Sequence, residues 1–504
     1  MRREIIQDLS FGSPIAEDEV DSIKSYFVDT DIWNQVKNDR VDLILGEKGA
    51  GKSAIFLLLK GNEEEFIKGR GARIVNGENV RGSVVFKSLK SDPVSSEDEI
   101  KLIWKVYVLA LVARELNSRD IFVSSDSDYV IKYALKSRIL YRENADLSRM
   151  LRSVRAFVSS IFASVDEVGV SIDPNTGVPW ASVKVSAKKK IDADEIVRID
   201  AELSEVLRRA NRALEETGSE IWILLDRLDV AFEESEELEV NALRALLRTY
   251  TDMRVFQSIK LKLFLRSDIF KKVTIGGFRE ASHLVRKLNI MWDLSGIVNL
   301  IIRRSISNKN LCDFYGVKSS SVVSDFDQQK SLFSKIFPEQ VEVGQKKSKT
   351  IDWMVKRLSD GRGHFVPRDF IYFVNALIER QKKKFEMGGR EPDGDALFDR
   401  AEFKNAHEMT SKYKLETFIY AEFPSERKYI EALEYNKSEF NISALSKIWS
   451  LPEENAFEVA KKLESIGFFI ERKTRLDGLF IVPFLYRPAL YLKQGKNLNG
   501  QKGA

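Results

Sequence analysis

The chain has 504 residues, of which 43% are hydrophobic and 31% are charged, and it contains a single cysteine. This globular composition excludes a disordered or fibrous protein, and the length exceeds what one hydrophobic core normally organises, so we expect two to four domains. One cysteine excludes an internal disulfide framework, and 80 basic against 76 acidic side chains, a formal charge of +4, do not by themselves indicate a polyanionic partner.

The sequence shows no membrane-spanning pattern. Acidic and polar residues occur within 1–8, so we expect no secretory leader. The most apolar stretch, 106–113, is too short to cross a bilayer and predicts a buried helix. With one cysteine and three histidines, a Cys/His zinc site is not expected. We therefore expect a cytoplasmic protein without membrane contact.

A glycine-rich loop follows the first predicted strand, 41–45, and precedes a helix over 53–59. The loop fits the pattern GxxxxGK[ST] and consists of Gly46, Glu47, Lys48, Gly49, Ala50, Gly51, Lys52 and Ser53. In this context backbone N–H groups surround phosphates, the lysine neutralises the β and γ oxygens, and the serine binds Mg²⁺. The pattern therefore predicts ATP and Mg²⁺ as cofactors, with Lys52 as a catalytic residue and Ser53 as a metal ligand.

The next part of the chain combines helices with a β-hairpin. Residues 83–86 predict a second strand, and the pattern from 102 to about 162 is helical. Alternating residues over 168–185 flank a turn at 173–177 and predict a hairpin. The helix after it carries an apolar stripe typical of a core face and ends at Gly218.

A buried type of strand over 221–225 ends in Asp226. A P-loop sheet holds its second Mg²⁺ contact at the carboxyl end of such a strand, so Asp226 is the predicted metal-side carboxylate; a helix cap or loop acid is the alternative. Many P-loop ATPases carry a glutamate directly after this aspartate to polarise the attacking water, but that position is Arg227 here. Asp229 is the nearest candidate base, and glutamates follow at positions 233 and 234.

Another apolar strand, 259–265, is followed by Arg266, Ser267 and Asp268. If this strand neighbours the strand of Asp226, these polar groups lie beside the γ-phosphate. A plain surface turn is the alternative.

The remainder of the chain, after residue 293, is mostly helical in pattern, and 388–394 is its strongest linker signal. The segment 428–490 predicts helices and then a two-stranded wing near 468–470 and 479–482, a pattern typical of a winged helix. Three basic residues stand at the predicted wing tip: Arg472, Lys473 and Arg475.

Two uses of this terminal segment are open. Origin-recognition-type ATPases hold duplex DNA with such a domain. However, its third helix opens with Glu453, Glu454 and Glu458, which are unfavourable near phosphates. Nucleic-acid binding and a protein-docking or packing role are therefore both possible interpretations of the terminal segment. Separately, the lysines at 188–190, after the predicted hairpin, are either a phosphate contact or a solvated charge run.

These motifs occur in the order of a known family: the P-loop, 225–229, 264–268 and 367–369. The chain resembles AAA+ or STAND-type ATPases and is similar to the bacterial P-loop ATPases grouped with the origin-recognition-complex-like fold. The segments 11–17 and 482–487 also resemble that bacterial group, so the resemblance spans most of the chain.

The resemblance implies roles for two more sites. In AAA+ proteins a polar residue that ends the strand after the Mg²⁺ carboxylate senses the γ-phosphate, which implies Arg266 or Asp268 here. An arginine of the helical lid contacts the nucleotide, which implies Arg368, since a guanidinium is a planar phosphate ligand; a simple helix start at this proline-arginine pair is the alternative. The chain departs from the family at Arg227 and in the long span between the loop and residue 221. Candidates for an intersubunit arginine finger are Arg279 and Arg286.

Together these observations predict an α/β fold. A P-loop NTPase (AAA+-like) core with a parallel sheet covers 1–290 and carries a helical and hairpin insertion at about 90–190. A helical lid follows at 291–387, and a C-terminal helical and winged-helix domain at 395–504.

The predicted function is an ATP-binding and ATP-hydrolysing molecular switch that couples nucleotide state to oligomerisation or to binding of duplex DNA or a protein effector. The resemblance suggests a setting in anti-phage defence or DNA maintenance. The alternatives are a nucleotide-dependent scaffold that does not hydrolyse ATP, and a P-loop kinase, which the large multidomain chain disfavours.

Overall fold

The computed structural model describes residues 2–20, 23–27, 31–77, 97–118, 124–140, 157, 168–172, 179–183, 193–226, 228, 236–275, 278–472 and 478–497. The chain divides into two compact units. The sheet unit comprises Asp31–Glu47 and Lys52–Ile290, and the helical unit comprises Met1–Thr30, Lys48–Gly51 and Met291–Ala504.

The described strands are, in chain order, β1 (Leu43–Gly46), β2 (Ala72–Asn76), β3 (Val168–Ile172), β4 (Pro179–Val183), β5 (Glu220–Leu225), β6 (Ile259–Arg266), β7 (Lys287–Ile290), β8 (Lys437–Phe440), β9 (Ile470–Arg472), β10 (Leu479–Ile481) and β11 (Lys493–Asn497).

A five-stranded sheet forms the centre of the sheet unit, in the order β2-β5-β6-β1-β7, and all its neighbouring strands are parallel. Of its inner strands, β1 and β5 are mainly apolar runs, as expected where both faces of a parallel sheet are covered, whereas β6 carries Lys260 and Lys262 between its apolar residues. The fold is therefore mixed α/β, as the sequence predicts.

The chain reverses its direction across this sheet next to β1. From β1 it continues to β2 at one edge and returns through β5 and β6, and from β6 it crosses β1 to reach β7 at the other edge. The neighbours β1 and β6 are thus followed by connections that run in opposite directions. Ligands of open α/β sheets bind outside the carboxyl ends of the strands at such a reversal.

Helices cover the sheet unit's core. The helix Glu97–Asn117 is buried along most of its length, including all of 106–113, which confirms the predicted buried helix. The other helical segments among the described residues of this unit are Asp31–Lys37, Lys52–Gly61, Glu63–Arg70, Ser125–Lys136, Ala193–Glu216, Glu236–Met253, Ser267–Thr274 and the short 3-10 turn Arg279–His283.

The helix Ala193–Glu216 buries the predicted stripe: Leu203, Val206, Ala210 and Leu214 are all at most 1% exposed. It ends before Gly218, whose φ of 61° is left-handed. The antiparallel pair β3-β4 confirms the hairpin strands, while the predicted turn at 173–177 lies outside the described residues.

The helical unit has its own apolar core, to which the N-terminal segment contributes Ile5, Ile6, Leu9 and Phe11. Its helical segments are Arg2–Asp8, Ala16–Glu19, Ile23–Tyr26, Leu294–Ser305, Lys309–Tyr315, Ser319–Ser324, Phe326–Ile336, Thr350–Leu358, Pro367–Glu386, Arg400–Lys414, Leu415–Tyr420, Pro424–Glu426, Arg427–Glu431, Ile442–Trp449 and Glu453–Ser465.

The predicted linker at 388–394 is a loop tied to the N-terminal helix. The guanidinium of Arg2 donates to the carbonyl oxygens of Pro392, Gly394 and Ala396 at 2.6–3.1 Å. This loop therefore belongs to the body of the helical unit.

A four-stranded sheet in the order β11-β8-β10-β9 ends the described chain. Antiparallel β9 and β10 match the predicted strand pair, and the helices Ile442–Trp449 and Glu453–Ser465 precede it. The sequence did not predict β8 and β11, which pair in parallel. Of the basic wing-tip residues only Arg472 lies within the described residues.

Several strand predictions need correction or fall outside the described residues. The strand predicted at 41–45 is found at Leu43–Gly46, and β5 and β6 lie where expected. The sequence missed β2 and β7, which are the two edge strands of the sheet. The strand predicted at 83–86 is not among the described residues. Within the described part of the chain, no helix is long and apolar enough to cross a membrane.

Candidate functional site

The glycine-rich loop between β1 and the helix Lys52–Gly61 adopts backbone conformations that need glycine. Gly49 and Gly51 have φ values of 88° and 103°, a region that other residues rarely adopt. A Cβ on Gly49 would also lie 2.9 Å from Cβ of Arg368. The loop sequence is thus matched to its shape.

Lys52 opens the helix after the loop and turns its side chain back over it. Its Nζ donates to the carbonyl oxygens of Gly46 and Glu47 at 2.8 and 3.1 Å. The ammonium therefore lies at the loop, where it can meet an anion, and not in the apolar core.

The loop serine meets the acid at the end of β5. The hydroxyl of Ser53 donates to Oδ2 of Asp226 at 3.2 Å, across 173 positions of sequence. Both side chains are partly buried. The sequence predicted these two residues as the metal ligands, and the structure brings them together.

No protein-family model matches the sequence, and no curated protein matches it significantly. A function for the chain is therefore inferred from the chemistry of its own residues.

Ser53 and Asp226 offer a hydroxyl and a carboxylate oxygen, which are ligand types that Mg²⁺ accepts. Magnesium prefers oxygen ligands and usually keeps several waters, with one or two carboxylates and the phosphates of a nucleotide completing its shell. Among the described residues, no group of three or more His, Cys, Asp or Glu could hold a metal ion. A hydroxyl and a single carboxylate suit a metal that arrives with a phosphate ligand.

Arg266 lies at the end of β6, which neighbours both β1 and β5. The strand that ends in Arg266 is thus a neighbour of the strand that precedes Asp226, as the sequence-based prediction required. Its guanidinium forms a bidentate ion pair with Asp268, with Nε–Oδ1 and Nη2–Oδ2 distances of 3.1 and 2.7 Å. Arg266 and Asp268 are thus one paired unit and not two independent candidates.

Asn289 is a neighbour that the sequence did not reveal. Ser267 donates its hydroxyl to Oδ1 of Asn289 at 2.8 Å. Asn289 lies on the edge strand β7, in register with Leu45 of β1. This bond ties the ends of β6 and β7 on either side of the glycine-rich loop strand.

Within the helical unit, Arg368 contacts the middle of the loop. Its backbone N–H donates to the Gly49 carbonyl at 3.4 Å, and its Nε donates to the Pro14 carbonyl at 3.3 Å. Arg368 lies in the first turn of the helix Pro367–Glu386, where proline is well suited. The arginine implied by the family resemblance is thus next to a loop glycine.

Two further residues of the helical unit hold the same part of the loop. The indole Nε1 of Trp292 donates to the Ala50 carbonyl at 2.9 Å. Lys48 forms an ion pair with Glu422, and its ammonium lies 5.9 Å from the ring centre of Phe418. The sequence singled out neither Trp292 nor Glu422, although Trp292 comes shortly after the end of a strand, as Asp226 does.

A buried ion pair adjoins Arg368. Nζ of Lys414 lies 2.7 Å from Oδ2 of Asp369, and these side chains are 10% and 2% exposed. Lys414 directly precedes the π-helical segment Leu415–Tyr420, a form often found at functional sites. The pair anchors the start of the helix that carries Arg368.

The candidate base and the side chain of one candidate arginine finger lie outside the described part of the chain. The other finger candidate, Arg286, forms ion pairs with acidic residues of the sheet unit. Arg227, Asp229 and the glutamates at 233 and 234 lie outside the described residues, as does the side chain of Arg279. Arg286 donates to Oδ1 of Asp39 at 2.9 Å and is a member of an ion-pair cluster. A structural role thus accounts for Arg286 within this chain.

Proposed function

We propose that this chain is an ATP-binding and ATP-hydrolysing switch in which the loop 46–53 binds the phosphates and Ser53 and Asp226 bind Mg²⁺. The observation that carries the proposal is the 3.2 Å contact between these two side chains at the carboxyl edge of a parallel sheet. In the P-loop pattern, backbone N–H groups of a glycine-rich turn and its lysine hold the phosphates, and the serine hydroxyl holds the Mg²⁺.

The location within the sheet supports the same proposal. The loop follows β1 and the polar residues follow β6, the two neighbours at which the chain direction reverses. Phosphates bound here would meet the amino-terminal end of the helix Lys52–Gly61, whose backbone N–H groups and dipole favour anions. Lys52 would then exchange its two carbonyl partners for phosphate oxygens.

The switch itself would act through the residues that hold the loop in the helical unit. Arg368, Trp292 and Lys48 contact or belong to the loop, so a phosphate that reshapes it also changes their partners. By its resemblance to AAA+ lids, Arg368 would contact the nucleotide, and the change would be read out as oligomerisation or partner binding.

Hydrolysis requires a base as well as the metal. Asp229 is the proposed base because Arg227 occupies the position of the usual glutamate. A chain that binds ATP but lacks an effective base would be a nucleotide-dependent scaffold, and a P-loop kinase is a further alternative. Phosphate release distinguishes hydrolysis from both.

For the C-terminal region we propose a winged-helix arrangement that binds duplex DNA or a protein effector. The support is the order of the helices Ile442–Trp449 and Glu453–Ser465 followed by the antiparallel strands β9 and β10. The bacterial group that the chain resembles suggests a setting in anti-phage defence or DNA maintenance.

The test measures binding of a fluorescent ATP analogue and phosphate release, with and without Mg²⁺, for the full chain and for Lys52→Ala. We expect the variant to lose binding or turnover because its ammonium lies at the loop carbonyls. Lys60→Ala is the matched control, since Lys60 is an exposed lysine of the same helix. Folded Lys52→Ala protein with unchanged affinity and turnover would reject the phosphate site.

The same assay separates the alternatives. Binding without phosphate release indicates the scaffold, whereas release stimulated by duplex DNA, or a shift in size-exclusion elution with ATP, indicates the switch. Transfer of phosphate to a small molecule would indicate a kinase.

A further inference from the structure

Two exposed tyrosines stack on each other in the helical unit, far along the chain from the glycine-rich loop. The rings of Tyr435 and Tyr491 have centroids 5.0 Å apart and planes inclined by 5°. The residues are 54% and 47% exposed. Since each ring covers one face of the other, the exposed surface of Tyr435 lies on its outer face and its edges.

Both tyrosines are in the left-handed backbone region, with φ values of 63° and 53°. Bulky residues rarely adopt this conformation, which suits glycine or asparagine, and such strain is concentrated at binding and switch sites. Neither position gains core packing from its ring, because both are exposed. The free energy of this strain is therefore not recovered by burial.

The parallel strands β8 and β11 explain how the two rings meet. Each tyrosine precedes its strand by two residues, and the strands align Lys437 with Lys493. The backbone N–H of Tyr435 donates to the Leu490 carbonyl at 3.0 Å, which brings the two approaching segments together. The register of the two strands therefore determines that the two tyrosine rings lie against each other.

The same register places two lysines directly opposite each other. Like charges at paired positions of neighbouring strands destabilise a sheet. Gly495 lies beside Lys437, since a Cβ on this glycine would be in ordinary contact with Cδ of that lysine at 3.7 Å. A third lysine, Lys412, lies 5.7 Å from the ring centre of Tyr491.

Acidic residues are also present around the pair. Lys412 donates to Oε1 of Glu408 at 2.8 Å, and Glu439 faces Lys496 across the two strands. Glu434 directly precedes Tyr435. Lys437 and Lys493 are the basic residues that the strand register places two positions after the two rings.

We propose that Tyr435 and Tyr491 form a stacking platform for a base of single-stranded nucleic acid, with its phosphates contacted by Lys437 and Lys493. Proteins that bind single strands combine aromatic rings, on which any base stacks, with basic side chains along the backbone. The chemistry required is an aromatic base that carries phosphate. The platform is on the β11 side of the small sheet and the predicted wing is on the β9 side, so the two are separate sites.

The test uses the full chain without ATP and a fluorescein-labelled oligothymidylate of about 20 nucleotides, measured by anisotropy. Tyr435→Asn removes the ring but keeps a residue that tolerates the left-handed backbone. We expect it to weaken binding about tenfold, which is the order of the loss when an aromatic ring that stacks on a base is removed. Tyr435→Phe retains the ring and is expected to bind like the wild type.

The charge arm of the test uses the double variant Lys437→Gln and Lys493→Gln. Removing two cations that neutralise phosphates of a single strand should lower the slope of log affinity against log salt by roughly 1.4. The control changes two exposed lysines of another loop in the same unit, Lys346→Gln with Lys349→Gln, and should leave the slope unchanged.

The following outcomes would overturn the proposal. If wild-type protein binds no oligothymidylate, or Tyr435→Asn binds it as tightly as Tyr435→Phe, the rings are no base platform and a protein partner is the remaining occupant. Displacement of the oligomer by equal concentrations of thymidine monophosphate would assign the site to free nucleotides instead. These results do not depend on ATP binding, so failure of the ATPase proposal would leave them unaffected.

Discussion

Nζ of Lys262 lies 2.7 Å from Oδ1 of Asp42 in the interior of the sheet unit, and the lysine side chain is fully buried. A second carboxylate, Oδ1 of Asp39, lies 2.6 Å from the same ammonium. The ammonium also faces the ring of Trp222 at 4.5 Å. A buried charge is tolerated only with such partners, because its desolvation costs several kcal/mol in free energy.

We therefore predict that Lys262→Met lowers the free energy of unfolding by about 3 kcal/mol, since it leaves buried carboxylates with fewer cations. Denaturant unfolding monitored by circular dichroism measures this. Lys132→Met is the control: that side chain is 78% exposed and its nearest acid is 3.9 Å away, so little change is expected. Equal stability of the Lys262 variant and the wild type would show that the cluster does not depend on this charge.

A second prediction concerns pH. Burial and the nearby Arg357 guanidinium lower the pKa of His407 to about 4. An unfolded histidine titrates near 6.5, so between about pH 6.5 and pH 4 the unfolded chain binds more protons than the folded one. Stability is thus complete above pH 6.5 and falls as the pH decreases, by about 3 kcal/mol from this residue.

Unfolding curves between neutral pH and pH 4 measure the effect. In His407→Gln, which keeps a polar side chain of similar reach, the loss of stability over this range should be smaller than in the wild type. Parallel pH profiles of the two proteins would contradict the assigned shift.

For the proposed metal pair, we predict that Asp226→Asn reduces Mg²⁺-dependent phosphate release much more than nucleotide binding. The backbone N–H groups of the loop still hold the phosphates when the metal carboxylate is removed. Because Ser53 contacts Asp226, the effects of Ser53→Ala and Asp226→Asn on Mg²⁺ dependence should not add. Strict additivity would argue against a shared metal.

The companion variant Asp229→Asn tests the base. Turnover should fall while binding of ATP and Mg²⁺ is retained. If this variant hydrolyses ATP at the wild-type rate, one of the glutamates at positions 233 and 234 becomes the better candidate.

Arg266 allows a fourth prediction, on the response to the γ-phosphate. Arg266→Ala should lower the turnover rate about 100-fold while changing ATP affinity only a few-fold. The reason is that the guanidinium would release Asp268 and stabilise the negative charge that develops on the γ-phosphate. Lys271→Ala, an exposed cation of the following helix, controls for a general loss of positive charge. Equal turnover of the Arg266 and Lys271 variants would assign the Arg266–Asp268 pair to structure alone.

A fifth prediction tests the basic wing tip with duplex DNA. Changing Arg472, Lys473 and Arg475 to glutamate should weaken binding to unrelated duplexes alike and flatten the salt slope, by roughly 0.9 for each phosphate that the tip no longer neutralises. Binding of single strands at the tyrosine pair should persist, because it uses the opposite side of the small sheet. If native protein shows no salt-sensitive duplex binding with or without ATP, the region serves docking or packing.

The sequence by itself determined those elements that can be predicted from the spacing of neighbouring residues. The loop 46–53, the buried strands before Asp226 and Arg266, the hairpin strands and the stripe ending at Leu214 all follow from residue spacing within a few turns or strands. Composition and periodicity record such features because neighbouring residues share one helix face or one strand. The edge strands β2 and β7 were missed because polar residues interrupt their short apolar runs: β2 contains Arg73 and Asn76, and β7 contains Lys287 and Asn289.

Only the tertiary structure decided which distant residues meet. The strand order placed β6 between β5, which precedes Asp226, and β1, which precedes the loop and Ser53, and the fold brought these two side chains into contact. The register of β8 and β11 stacked the ring of Tyr435 on that of Tyr491. Packing also paired Arg286 with the partly buried carboxylate of Asp39, a contact that no spacing in the sequence indicates. These contacts join residues tens to hundreds of positions apart, and their geometry depends on how whole elements pack, which local sequence patterns do not encode.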